Sequence, residues 1–341
     1  MSKFPTNFDW LNEMVEETLD PHLPICDAHH HLWDFRTDRV AQRYLLDEIL
    51  FDANSGHNIV STVFIECGSM YRSAGLDEMK PVGETEFVNG IAAMSASGLY
   101  GKSRVAAGIV GLADLMLGDA VGPVLDAHIT AGGGRFRGIR HRACWDPSDE
   151  VPNSQLTTTE SLYLNASFRQ GFSNLASRNL SYEGWCYHPQ IPQLTELARS
   201  FPDTTIILNH FGGPLGIGPY KGKQDEYFPF WKKAITELAT CPNVVAKLGG
   251  LNMEINGFDW HYKKRPPSSR ELMEATKRFY EHTIEQFGPS RCMFESNFPV
   301  DMVSCSYNIL WNSFKRLTTD YSATEKADLF HNTANRIYRL G

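Results

Sequence analysis

Histidines with metal-binding spacing stand near the start of the chain, in the run Ile25-Cys26-Asp27-Ala28-His29-His30-His31-Leu32-Trp33-Asp34. If the apolar residues here form a buried strand, His29 and His31 point to one side, because alternate strand residues share a face. Two neutral imidazoles directed into the same space suit a divalent transition metal. The alternative, a solvated loop of three histidines, is disfavoured by the apolar residues on both sides.

The elements that would position this pair follow a regular alternation. Short apolar runs rich in β-branched residues alternate with stretches of helical periodicity, which favours a (β/α)8 barrel over an open doubly wound sheet. No dinucleotide-binding glycine motif follows the first strand, and Gly132-Gly133-Gly134 precedes a strand as a connecting turn. The predicted strands are 25–31, 59–66, 104–111, 136–140, 182–187, 205–209, 243–248 and 291–296, and the clearest predicted helices are 189–201, 228–240, 270–287, 306–317 and 323–340.

The sequence predicts a single α/β domain. An N-terminal extension over residues 1–24 precedes a TIM barrel over 25–341, a length at which such barrels are commonly undivided. Residues 252–269 form an irregular insertion after strand 7. On a barrel this insertion lies at the catalytic face, where it is either a lid or a loop with no part in binding.

Composition excludes several classes of protein. The net charge of −8 leaves no surplus of Lys or Arg for nucleic acid, and no apolar stretch is long enough to span a membrane. The first residues lack the pattern of a signal peptide. Seven widely spaced cysteines, an odd number, indicate reduced thiols. We therefore expect a cytoplasmic protein that acts on a small molecule, either alone or as a homo-oligomer.

Titratable side chains follow most of the predicted strands, at the end of a barrel where active sites lie. Burying so many without a role is costly. Arg140 is expected to hold an anionic substrate group or to pair with Glu66, and Lys247 is a site cation or a buried counter-ion. His188 either lines the site or caps the next helix. The other candidates at these strand ends are His29, His31, His141, His210, Glu295, Asn297 and Asp301.

Two further candidates lie just beyond strand 2. Tyr71 and Arg72 are placed there as additional contacts for a substrate anion. Like the other large aromatic residues near the strand ends, Tyr71 is as well suited to packing as to recognition.

Four segments together resemble the amidohydrolase-2 branch of the amidohydrolase superfamily: residues 27–34, 136–140, 209–214 and 296–299. Within that branch the chain is most similar to the group of 2-pyrone-4,6-dicarboxylate lactonases and sugar-acid lactonases. The resemblance runs in the right order from about Ile25 to the C-terminus. It implies a distorted (β/α)8 barrel that hydrolyses a carbonyl compound at its mouth.

The resemblance also implies roles for single residues. His29 and His31 match the family's first-strand pair, His210 matches its sixth-strand histidine, and Arg140 matches an arginine that binds a substrate anion. The family usually ends strand 8 in Ser/Thr-Asp-Trp-Pro, where the Asp is a metal ligand or general base. This chain has Asn297 at that position, and an amide cannot take a proton.

A carboxylate must replace the missing acid if the family's chemistry is kept. Glu295 lies two residues before Asn297 and hence on the same strand face. Asp301 lies in the loop that follows, and Glu66 ends strand 2. Each is a candidate ligand or base.

The sequence therefore predicts a hydrolase of a lactone or similar cyclic ester that carries a carboxylate or hydroxyls. One divalent metal, zinc or manganese, would be bound by His29, His31 and either His210 or Glu295, with Glu66 as a further candidate ligand, and would activate water. Glu295 or Asp301 would take the proton of that water. Some lactonases of the group act without metal, so metal-free action stays open.

Two alternatives remain open from the sequence. A metal-dependent non-oxidative decarboxylase or hydratase of an aromatic or dienoic acid would use the same set of residues. A catalytically inactive barrel that only binds a ligand or partner is favoured by Asn297 alone.

Overall fold

Eight parallel strands form one sheet in sequential order in the computed structural model, which describes residues 8–154 and 158–340. Helices lie between successive strands, so the predicted (β/α)8 barrel is confirmed. The strands are β1 (Pro24–His30), β2 (Asn58–Ile65), β3 (Arg104–Gly111), β4 (Phe136–Ile139), β5 (Ser181–Gly184), β6 (Ile206–Leu208), β7 (Val244–Leu248) and β8 (Cys292–Phe294).

The helices form the outer layer of the barrel. Residues 328–332 form a π-helical turn that interrupts the helix predicted over 323–340. The helices are α1 (Phe8–Leu11), α2 (Leu46–Ala53), α3 (Val82–Ala96), α4 (Gly122–Ala131), α5 (Ala166–Phe172), α6 (Ile191–Ser200), α7 (Gln224–Ala239), α8 (Ser269–Phe287), α9 (Tyr307–Leu317), α10 (Ala323–Ala327) and α11 (Thr333–Tyr338).

The two ends of the barrel differ in chemistry. Apolar side chains such as Val63, Ile207 and Met293 pack together with Tyr338 and Leu340 near the C-terminus. Arg104, the first residue of β3, donates to the Leu340 carbonyl at 3.0 Å, so the C-terminal residues cover the N-terminal ends of the strands. The opposite end carries the polar residues. No helix among the described residues is long and apolar enough to cross a membrane.

Several strands are shorter than the sequence predicts, at their C-terminal ends. The fifth was predicted to run to residue 187, but β5 ends at Gly184 and Trp185 already belongs to the mouth of the barrel. Its carbonyl accepts from the N–H of Ala143, in the segment after β4. Apolar side chains continue past the last hydrogen bond between the strands because they line loops there. Hydrophobicity alone does not distinguish such a loop from a strand.

The barrel closes between β1 and the residues after β8. The N–H of His31 donates to the Phe298 carbonyl, and the N–H of Asn297 donates to the His29 carbonyl, each at 2.8 Å. The chain before β1 also packs on the barrel, as Glu16 accepts from the backbone N–H of Ser269 at 2.9 Å. Residues 1–7 of the predicted N-terminal extension and residue 341 lie outside the described residues.

Asp27 joins the two strands that close the barrel. Its side chain accepts from the backbone N–H of Ser296 at 2.8 Å and from its hydroxyl at 2.6 Å. The hydroxyl of Tyr307 in α9 donates to the same carboxyl at 2.9 Å. Burial raises the pKa of Asp27 to about 6, although these hydrogen bonds favour its ionised form.

Replacing Asp27 by Asn is expected to destabilise the fold by about 2–4 kcal/mol, because a buried hydrogen bond to a charged group contributes roughly 1.5–3 kcal/mol. The free energy of unfolding in urea measures the loss. Asp203→Asn, at an exposed carboxylate before β6, is the control and should change stability by less than about 0.5 kcal/mol. Equal stability of Asp27→Asn and the control would show that this carboxyl does not hold the barrel closed.

Candidate active site

His29 and His31 lie together at the C-terminal end of β1, both buried. Their Nε2 atoms are 3.3 Å apart. Nδ1 of His31 is 2.8 Å from the Ile65 carbonyl, which can only accept, so Nδ1 carries the proton and Nε2 presents a lone pair. Burial, together with the cation of Lys247 for His29 and of Arg140 for His31, holds both pKa values well below the usual range. Both imidazoles are neutral, as a metal ligand must be.

A bulge in β1 aims this pair. Between Asp27 and His30 the register with β2 shifts, because three residues of β1 advance against two of β2. Strict alternation would place Asp27 and His29 on one face. Asp27 instead contacts Tyr307 on the helix side, while His29 contacts Lys247 inside the barrel. An extra residue re-aims the side chains that follow it, as bulges near active sites do.

His29, His210 and Glu295 form a compact buried cluster. Nδ1 of His29 is 2.8 Å from Oε2 of Glu295, and Nδ1 of His210 is 2.7 Å from Oε1. The three residues each offer one ligand atom, and these atoms all lie within 4.8 Å of one another. Glu295 Oε2 is buried and has no well-aligned hydrogen-bond donor among the described residues. Two histidines from β1 and from the turn after β6 therefore meet the carboxylate that the sequence proposed as a replacement for the missing acid.

Glycines after β7 make room for this cluster. A Cβ on Gly250 would lie 2.1 Å from Nδ1 of His210, and a Cβ on Gly249 would lie 2.4 Å from Cγ of Glu295. Gly250 also has a φ of +71°, which side-chain-bearing residues rarely adopt. The positions of His210 and Glu295 therefore depend on a glycine pair in a neighbouring strand-to-helix connection.

Asn297 and Asp301 form a second pair beside His31. Oδ1 of Asn297 is 3.3 Å from Nε2 of His31, and its amide N–H donates to Asp301 at 2.8 Å. The other oxygen of Asp301 accepts from the backbone N–H of Asn252 at 3.1 Å. Burial raises the pKa of Asp301 to about 8. Both oxygens of Asp301 already accept hydrogen bonds, so it is the weaker candidate for a base of the two acids near Asn297.

Glu66 pairs with arginines and lies outside the His29 cluster. Its Oε1 accepts from Nε of Arg140 at 2.7 Å and is 3.2 Å from Nε of Arg142. Burial alone would raise the pKa of Glu66, but Arg142 and Arg140 lower it below its usual value. Of the two roles predicted for Arg140, pairing with Glu66 is the contact that the structure contains.

Lys247 lies fully buried beneath the cluster. Its ammonium is 3.0 Å from Glu183 and 3.4 Å from Nδ1 of His29. Glu183 also accepts from the amide of Asn209 at 2.5 Å and from the hydroxyl of Tyr338. Lys247 thus has a buried counter-ion and reaches His29 as well, so both roles predicted for it have a structural partner.

The remaining candidates lie outside the cluster. Nδ1 of His141 accepts from the backbone N–H of Leu115 at 3.1 Å, and burial lowers the pKa of His141 to about 4. His188 stacks on Tyr227 with the ring centroids 4.3 Å apart. The contacts of both histidines are typical of residues with a structural role.

Tyr71 and Arg72 lie at the surface after β2. Arg72 forms an exposed ion pair with Glu86, and Tyr71 is 36% exposed. The structure gives neither residue a contact with the His29 cluster.

Sequence reasoning missed three charged residues near the site: Arg142, Glu183 and Glu254. Glu183 is a carboxylate within a buried strand, a signal that was present in the run Ser181–Gly184. Arg142 and Glu254 lie in irregular segments, where sequence pattern gives no orientation. Arg142 follows Arg140 by two residues, so the sequence could have predicted a second cation at the end of β4.

A family profile described as amidohydrolase matches residues 26–340. The chain belongs to the amidohydrolase family. It is therefore a hydrolase by family, and the expected resemblance is confirmed.

Similar proteins cover nearly the whole of this amidohydrolase. An uncharacterized protein of Sinorhizobium fredii, y4mH, is 34% identical over 93% of this chain and 99% of its own length. L-fucono-1,5-lactonase of Burkholderia multivorans is 25% identical over 92% of this chain and 95% of its own. A crystal structure of an amidohydrolase from Burkholderia multivorans with bound zinc has a TM-score of 0.69 at 24% identity, covering 93% and 99% of the two chains. That structural likeness shows a shared fold.

The donor atoms of this amidohydrolase fit a divalent cation in two ways, which differ in the nitrogen of His29 that they use. Nδ1 joins His210 and Glu295, whereas Nε2 joins His31 and the amide oxygen of Asn297. In the observed ring orientation one ion cannot contact both nitrogens. A cation lies 3.4 Å from each of these nitrogens, Lys247 from Nδ1 and Arg140 from Nε2. The sets therefore differ in the carboxylate, which only the first set has and which offsets the charge of the ion. Charge compensation favours the first set.

The zinc affinities of single-residue variants distinguish between the two donor sets. His210→Ala is expected to weaken binding at least about 100-fold, because it removes a ligand of the favoured set, whereas Asn297→Leu should change it less than about 3-fold. Titration of metal-stripped protein against a competing chelator measures both. His29→Ala, which removes the shared residue, should abolish binding and serves as the positive control. Tight binding by His210→Ala together with loss in Asn297→Leu would place the ion at the second set.

Proposed function

We propose that this amidohydrolase hydrolyses a lactone at the C-terminal mouth of its barrel. The observation that carries the proposal is the buried contact of Glu295 with His29 and His210, at 2.8 and 2.7 Å. A cavity of about 340 Å3 lies close to the cluster: Trp185 is in its wall, and the ring centroids of Trp185 and His210 are 4.7 Å apart. Relatives named as lactonases support this reaction class.

The chain's own residues supply proton transfer and positioning. A water oxygen attacks the lactone carbonyl carbon, Glu295 takes the proton of that water, and the ring C–O bond then breaks. The proton returns from Glu295 to the ring oxygen, which leaves as a hydroxyl group. His210 orients Glu295 through its 2.7 Å hydrogen bond.

A zinc ion held by His29, His210 and Glu295 would polarise the carbonyl and lower the pKa of bound water. The neutral state of His29 fits this role, since burial and the cation of Lys247 lower its pKa well below the usual range. Oε2 of Glu295, which is 2.8 Å from Nδ1 of His29 without a well-aligned hydrogen bond, is the atom available for an ion, while Oε1 accepts from His210.

Glu295→Gln is expected to lower kcat/KM for lactone hydrolysis by roughly 10²-fold or more, because glutamine keeps the shape of the side chain but cannot take a proton. Base uptake in a pH-stat measures the rate, and metal content measured in parallel separates loss of the base from loss of the ion. Glu237→Gln, at a surface carboxylate of α7 paired with Arg199, is the control and should retain the full rate. Near-wild-type turnover by Glu295→Gln would exclude this residue as the base.

The same experiment addresses the alternative activity predicted from the sequence. A decarboxylase releases carbon dioxide from an aromatic acid. It would not hydrolyse a lactone, so the pH-stat would add no base when a lactone is the substrate. Release of carbon dioxide with no lactone hydrolysis would therefore replace the proposal. If the protein acts on neither lactones nor aromatic acids, the result favours a barrel that only binds a ligand or partner.

A further inference from the structure

A second cavity lies on the helix side of the barrel, beside the seam between β1 and β8. This outer cavity has a volume of about 490 Å3, compared with about 340 Å3 for the mouth cavity beside Trp185, and the two share no lining residue. Helices α1 and α2 line it together with Phe298, Met302 and Tyr307, which follow β8. A cavity of this size accommodates a small organic molecule.

Most of the lining of the outer cavity is apolar, and part of it is exposed to water. Phe51 of α2 is 80% exposed and Phe8 of α1 is 52% exposed, although both line the same cavity. Exposed apolar side chains grouped around a recess are typical of a binding site, whereas single ones are common on any surface. The apolar lining residues include Phe8, Leu11, Tyr44, Phe51, Phe298 and Met302.

Asp52 brings a carboxylate with one free oxygen into this apolar lining. Its Oδ2 accepts from the hydroxyl of Tyr44 at 2.6 Å, whereas Oδ1 accepts no hydrogen bond from a described residue. The residue is half-buried and Oδ1 is not sequestered from solvent, so a molecule in the cavity can reach this atom. Burial raises the pKa of Asp52 to about 7. A cation beside it would stabilise the ionised form.

The charges around the outer cavity are negative overall. Arg43 pairs with Glu48 at 3.1 Å, whereas neither Asp47 nor Asp52 has a cationic partner among the described residues. This imbalance favours a positively charged ligand over an anionic one. The apolar lining disfavours a hydrated inorganic ion, because it offers few oxygens to replace the water shell. Aromatic rings, in contrast, attract an organic ammonium group.

We propose that the outer cavity binds a small organic cation, an aromatic ring that carries an alkylammonium group. The ring packs against the apolar lining, and the ammonium group donates to Oδ1 of Asp52. This ligand binds apart from the cluster of His29, His210 and Glu295, because the outer cavity shares no lining residue with the mouth cavity. The proposal therefore does not depend on the lactonase function.

Isothermal titration calorimetry with tryptamine tests the proposal at pH 8, where Asp52 is largely ionised and an alkylammonium group is still charged. Tryptamine is expected to bind at least about 10-fold more tightly than indole-3-propionate, which carries the opposite charge on the same ring. Asp52→Asn should weaken tryptamine binding about 10-fold, because asparagine still accepts from Tyr44 but carries no charge. Phe51→Ala should weaken it about 3-fold or more, because apolar contact area is lost.

Matched variants locate the bound tryptamine. Asp203→Asn, at an exposed carboxylate before β6, and Trp185→Ala, in the wall of the mouth cavity, should each bind tryptamine as tightly as wild-type protein. Thermal unfolding shows whether each variant folds. Loss of binding in Trp185→Ala with no change in Asp52→Asn would place tryptamine at the mouth and overturn the proposal.

Other occupants of the outer cavity would give different results. If a second copy of the chain covers the cavity, light scattering detects a dimer that Phe51→Ala dissociates, and the dimer does not bind tryptamine. If residues 1–7 cover it, tryptamine binds only to a variant that lacks them. Either result overturns the proposal, as does an absence of tryptamine binding to every one of these proteins.

Discussion

Charge neutralisation inside the mouth of the barrel is the constraint on which the rest of the site depends. A charge taken out of water is expensive unless a partner and hydrogen bonds replace the solvent. Lys247 is balanced by Glu183 at 3.0 Å, and the two arginines after β4 share Glu66. Each pair joins different strands, so the electrostatic balance also fixes how the strand ends face one another. The histidines stay neutral because burial and the neighbouring cations lower their pKa values.

The seam between β1 and β8 carries both stability and chemistry. Asp27 holds Ser296 on the helix side of the seam, while two residues later His29 contacts Glu295 on the inner side. The bulge in β1 allows one strand to serve both faces within three residues. The architecture of the site is therefore tied to barrel closure.

The strand-8 sequence departs from the usual family pattern, and the structure shows a consistent arrangement around that departure. The amide of Asn297 donates to Asp301 at 2.8 Å, and the carboxylate that meets the histidines is Glu295. Glu295 lies two residues before Asn297, directly after β8, and its longer side chain reaches His29 and His210. Gly249 contributes by its lack of a side chain, since a Cβ there would meet Glu295.

Much of this arrangement could be predicted from the sequence. Hydrophobic periodicity indicates which helices and strands form, and the residues at the predicted strand ends are those that reach the mouth of the barrel. The alternation of eight strands and helices and the placement of His29, His31, His210 and Glu295 at strand ends required no tertiary information. The partners of those side chains did require it. The bulge that aims His29 and His31 is visible only in the register of β1 with β2. Distances between residues far apart in the chain decide whether Arg140 meets a substrate or Glu66. They also decide which nitrogen of His29 faces which donor, and that Asp27 points outward. Sequence spacing gives the face of an element, whereas the packing of neighbouring elements decides what lies opposite that face.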